Sequence, residues 1–102
     1  MSIEYVAPVT LTEDQVATLE AEVRADGRWI QEGTLVNGKL SYRIAGRPRR
    51  AAWPEDFSLY LSPPNLEVAF HSATRTEREN FLSFLSDTLQ RITASHVNFE
   101  DA

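Results

Sequence analysis

The chain has no cysteine, one methionine, two histidines and a single lysine beside nine arginines. Without cysteine there is no disulfide scaffold, no thiolate zinc site and no thiol nucleophile. The histidines, His71 and His96, form no His-x-x-x-His or Glu-x-x-His pair, and there is no Asp-x-Asp-x-Asp-Gly loop. No resident metal is therefore expected. Glycines are scarce and scattered, at 27, 33, 38 and 46, so no Gly-x-Gly-x-x-Gly or Walker-type phosphate cradle exists and no cofactor is expected. No apolar run is long enough for a bilayer-spanning helix. The start, Met1-Ser-Ile-Glu, lacks the basic head and apolar stretch of a secretory signal, which predicts a cytoplasmic protein.

What is present is an ordinary folding composition. The 102 residues are 42% apolar and 25% charged, which suits one domain over 1–102 with one core. Leu11-Thr-Glu-Asp-Gln-Val16 reads as a capping box, Thr12 with Gln15, flanked by a Leu11/Val16 staple. Val16, Leu19 and Val23 follow at helical spacing and Asp26-Gly27 ends the pattern, predicting a helix over about 12–25. A second helix of about 17 residues is predicted from Thr74 or Thr76, with Phe81, Leu85, Leu89 and Ile92 as its buried stripe.

Between them lie two hairpins. Asn37-Gly38 is the residue pair of a type I′ turn. A regular ladder from that turn would set Leu35 opposite Leu40, Gly33 opposite Tyr42, Gln31 opposite Ile44 and Trp29 near Gly46. It would also pair Glu32 with Arg43 and make Leu35, Leu40, Tyr42 and Ile44 the inner face. Phe57, Leu59 and Leu61, then Leu66, Val68 and Phe70, alternate with polar or small residues around Pro63-Pro64-Asn65, a second turn in which either X-Pro bond is free to be cis. Ile3–Val9 suits a strand, and the tail 96–102 suits either a short edge strand carrying Val97 and Phe99 or a frayed end. The fold class is thus α+β: an antiparallel sheet of four to five strands with two helices on one face, in the order β-α-β-β-β-β-α.

Charge is the strongest hint of function. The net charge is −5. Residues 1–26 hold six acids and one Arg, residues 27–50 one acid and six bases, and residues 51–102 eight acids and three Arg. This predicts an acidic helical layer, with Glu13, Asp14, Glu20, Glu22, Glu77, Glu79 and Asp87 as a surface for a basic protein partner. Arg47-Pro48-Arg49-Arg50, followed by Trp53, is a second candidate surface. As a nucleic-acid module it is disfavoured by the acidic total. Trp29, Trp53, Tyr60 and Phe99 are the aromatic anchors to look for. Glu55-Asp56 and Glu100-Asp101 are adjacent carboxylates that point apart on extended chain, and Asp56 reads as a turn residue.

In outline, at about 100 residues, acidic, cysteine-free and α+β, the chain resembles cytoplasmic immunity proteins that block nuclease-like bacterial toxins. The resemblance is architectural and assigns no residue a role. The leading expectation is a non-catalytic binding domain of that kind. One alternative is a small ligand-binding or phosphodiester-cleaving enzyme, with His71, Arg75, Tyr42 and Glu67 in a pocket between sheet and helices, or with His71 and His96 converging. Another is nucleic-acid binding by the Arg47–Arg50 loop.

Overall fold

Thr12 and Thr74 each start a helix by the same reciprocal bonding. In this computed structural model, which describes residues 2–47 and 55–102, Thr12 Oγ1 accepts the Gln15 N–H while Gln15 Oε1 accepts the Thr12 N–H. Thr74 and Glu77 repeat the arrangement. Two of the otherwise unpaired donors at each helix start are thereby satisfied. Helix α1 runs Glu13–Asp26 and α2 runs Arg75–Thr93, two residues longer than the periodicity suggested. Val16, Leu19 and Val23 of α1 and Phe81, Leu85, Thr88 and Leu89 of α2 are buried.

The strands are β1 (Ile3–Ala7), β2 (Trp29–Gln31), β3 (Lys39–Ile44), β4 (Phe57–Ser62), β5 (Asn65–Phe70) and β6 (Glu100–Asp101). They form one antiparallel sheet in the order β2-β3-β4-β5-β1-β6. The sheet has six strands, where four to five were expected. The sixth arises because buried Val97 anchors the tail, so that Glu100 and Asp101 pair with Val6 and Tyr5. The ladder lies just beyond Val97 and Phe99 instead of on them.

One sheet face carries the core. Tyr42, Phe57 and Phe70 lie side by side across three strands, and Leu40, Leu59 and Val68 form the next row. Phe81 of α2 sits above them, with ring centroids 4.3 Å from Phe57 and 4.9 Å from Trp29. Each such aromatic contact adds about 0.5–1.5 kcal/mol beyond area burial. Residues of α1 join the same core, so both helices cover this one face. Trp29, expected among the exposed aromatics, is buried at 5% exposure between Phe81 and Phe84. Tyr60 and Phe99 are half-buried.

The Asn37-Gly38 turn forms as expected, with Val36 and Lys39 exchanging both backbone bonds. The ladder beyond it differs. Gln31 pairs with Tyr42 and Trp29 with Ile44, a slip of two residues from the regular register. The extra residues are accommodated at Gly33, whose φ of +77° is open to glycine and strained for other residues. A two-residue slip preserves the facing of Gln31 and Trp29, since side chains alternate with period two. Leu35 loses its place opposite Leu40 and is 41% exposed. Arg43 still reaches Glu32, Nε to Oε1 at 2.8 Å, although its ladder partner is Ile30. In the second hairpin Ser62 pairs with Asn65, which leaves Pro63-Pro64, joined by a cis bond, as the whole turn.

Candidate functional site

The helix boundaries divide the acidic residues unequally. Helix α1 carries five acids and one Arg, while α2 carries three acids and three Arg. The negative surplus of the helical layer therefore belongs to α1 alone. Several expected acidic contacts on both helices are already engaged inside the molecule. Glu20 accepts from Gln31 Nε2 at 3.0 Å, Glu22 meets Arg91 at 3.4 Å, and Glu79 pairs with Arg75 at 2.9 Å. Glu77 holds Arg47 Nη2 and closes its own helix cap. Asp87 shares a shallow depression with Arg28 and Arg91. Asp87, exposed on α2, and Glu13 and Asp14, exposed in the first turn of α1, have no ion pair among the described residues.

Beside that turn lies a groove of about 620 Å³. Its walls come from the β1–α1 connection, Pro8 to Thr10, from Gln15, and from the chain after α2, including His96, Val97 and Glu100. Val9 and the outer edge of buried Val97 line it beside Glu100. No sequence motif marks this groove, because its two walls are more than seventy residues apart in the chain. Gln15 is the residue of α1 that lines the groove; Glu13 and Asp14 precede it in the same turn and are exposed.

The basic loop is represented among the described residues by Arg47 only; Arg49, Arg50 and Trp53 lie outside them. The Arg47 guanidinium donates to the Ser72 carbonyl at 2.7 Å, contacts Asp56 at 3.6 Å and is hydrogen bonded to Glu77. It ties the end of β3 to the start of α2.

The pocket residues weighed for chemistry do not converge. Tyr42 is buried on the helix side of the sheet, while Glu67 lies on the opposite face and Arg75 projects from α2 toward Glu79. His71 Nδ1 is 2.8 Å from Ser2 Oγ at the start of β1, whereas His96 lines the groove beyond its end. The length of that strand, roughly 17 Å, separates the two. The Tyr42 hydroxyl has no hydrogen-bond partner among the described residues, and burial pushes its pKa well above the ordinary phenol value. It is a packed ring rather than a poised acid.

One structural residue escaped the sequence reading. Asp56, which the sequence presents as a turn residue, is 6% exposed. Its carboxylate accepts the Ile44 N–H at 2.8 Å, its own N–H donates to Tyr42 O, and its carbonyl accepts from His71 and Ser72. No helix among the described residues is long and apolar enough to cross a membrane. Comparison with protein-family models, curated proteins and solved structures gives no significant match.

Proposed function

We propose that the chain is a non-catalytic binding domain that docks a basic protein, in the manner of a cytoplasmic immunity protein that neutralises a cationic, nuclease-like bacterial toxin. The observation that carries this reading is the uncompensated charge of α1, with Glu13 and Asp14 exposed in its first turn. Exposed carboxylates speed encounter with a cationic surface and select a partner of opposite charge. The separation of His71 from His96, and of Tyr42 from Glu67, favours docking over turnover. Helix α2 has no net charge and two of its three acids, Glu77 and Glu79, are paired, so the negative surplus offered to a partner comes from α1.

Stoichiometric inhibition tests this. The chain is titrated into basic nuclease domains of its host while cleavage of a fluorescent DNA or RNA is followed. The expected result is loss of cleavage at one equivalent, shifted to higher concentration by the double variant Glu13→Gln/Asp14→Asn. No equivalent-for-equivalent inhibition, or a variant identical to the parent, contradicts the proposal.

A further inference from the structure

The two edges of the sheet are built differently. Strand β6 ends one side with Glu100 and Asp101, charged residues of the kind that discourage another strand from pairing. Strand β2 ends the other side with Trp-Ile-Gln, and its central residue, Ile30, is 39% exposed. Of the four large apolar side chains exposed among the described residues, Ile30, Leu35 and Val36 all belong to this edge and its continuation into the turn. A row of unpaired backbone groups beside exposed apolar side chains is a template for strand addition.

The hydrogen-bond phase says how a second strand would fit. Ala45 N–H donates to Arg28 O at 3.0 Å and Glu32 N–H donates to Ser41 O at 2.8 Å, with Ile30 opposite Arg43 between them. Arg28, Ile30 and Glu32 therefore turn their backbone groups inward, toward β3. Trp29 and Gln31 turn theirs outward. A second copy of β2, antiparallel about a twofold axis at Ile30, sets Trp29 of each copy opposite Gln31 of the other. Those are the residues with outward groups, so about four new backbone hydrogen bonds close the ladder. The same register sets Arg28 of each copy opposite Glu32 of the other, whereas a parallel arrangement sets like charge beside like. The two Ile30 side chains meet on the axis.

We infer that this chain forms a twofold dimer by antiparallel β2–β2 pairing, joining two six-stranded sheets into one. The ladder is short, so Leu35 and Val36 must add apolar area and the association is weak, the expectation for a small interface. This surface lies at the opposite sheet edge from β6 and does not depend on the binding role proposed for α1.

The absence of cysteine makes the test direct. A residue pair on the axis in a non-hydrogen-bonded position has Cα atoms about 4.5 Å apart, within disulfide reach. Under mild oxidation Ile30→Cys should give a covalent dimer on a non-reducing gel much faster than Ser83→Cys, an exposed control on α2. In sedimentation the parent chain should show dimer at roughly 100 μM, and Ile30→Lys, which opposes two like charges on the axis, should remain monomeric with an unchanged circular dichroism spectrum. Cross-linking of Ile30→Cys no faster than the control, or a parent chain monomeric at every concentration, overturns the inference. Capture of an extended peptide by a chain that stays monomeric would also overturn it and assign the edge to another occupant.

Discussion

The Asp56 carboxylate accepts the Ile44 backbone N–H at 2.8 Å across the gap between β3 and β4. The Arg47 guanidinium, 3.6 Å from the same carboxylate, bonds on to Ser72 and Glu77. One nearly buried acid thus completes the end of a ladder and helps hold the arginine that binds β3 to α2. Asp56→Ala strands a backbone donor and removes a counter-charge. We expect a loss of about 2–3 kcal/mol in urea unfolding, with Asp56→Asn intermediate because it keeps an acceptor. A loss under about 0.5 kcal/mol for the alanine variant contradicts this role.

Tyr42 should behave oppositely. Its hydroxyl is buried with no partner among the described residues, while its ring stacks on Phe57 at 5.5 Å. Tyr42→Phe keeps the ring and removes the desolvated group, so stability at neutral pH should be unchanged or higher by up to about 1 kcal/mol. The raised folded-state pKa gives a sign as well. The folded protein holds that proton more tightly, so its contribution is intact below the ordinary phenol range and is lost as pH rises above it. The parent should lose stability relative to Tyr42→Phe in alkaline unfolding titrations above about pH 10. Parallel alkaline curves would contradict this.

Ala94 closes α2 in the left-handed region, with φ +57° and ψ +26°. That conformation costs a residue with Cβ about 1–2 kcal/mol and a glycine far less. Ala94→Gly should therefore raise the melting temperature by a few degrees, an increment of about 0.5–1 kcal/mol after glycine's greater unfolded-state entropy is subtracted. A lower melting temperature contradicts the cap geometry.

Asp26 is held below the ordinary carboxylate range, first by its side-chain hydrogen bonds with Arg28 at 2.7 and 3.1 Å. A lowered folded-state pKa stabilises above the unfolded value, and the contribution is lost as pH falls through the folded one. Because the Arg28 side chain is 53% exposed, screening limits the pair to about half a kcal/mol. Asp26→Asn should cost that much at pH 7 and nothing at pH 2; the same difference at both pH values contradicts the assignment.

The features legible in the sequence are those set by neighbours along the chain. Thr12 with Gln15, Thr74 with Glu77, Asn37-Gly38 and Pro63-Pro64 act within four residues; each forms, with Thr74 serving as the cap of α2 out of the two candidates Thr74 and Thr76. The β2–β3 register failed because Gly33 absorbs two residues without a motif to announce it. The burial of Trp29 depends on Phe81 and Phe84, some fifty residues away, and the closure by β6 depends on Val97 docking in the core. The candidate site was legible in part. Counting charge over 1–26, 27–50 and 51–102 shows the acidic surplus of α1 but hides the balance within α2. Arg47 was read as a surface cation although its partner Glu77 is thirty residues on.

The most direct measurement of the account is the rate at which a basic partner associates with the chain, followed by stopped flow as ionic strength is varied. Docking steered by Glu13 and Asp14 predicts a rate that falls steeply with salt. It also predicts that Glu13→Gln/Asp14→Asn lowers the low-salt rate several-fold with little effect on dissociation. An association rate indifferent to salt, and equal in parent and variant, would contradict it.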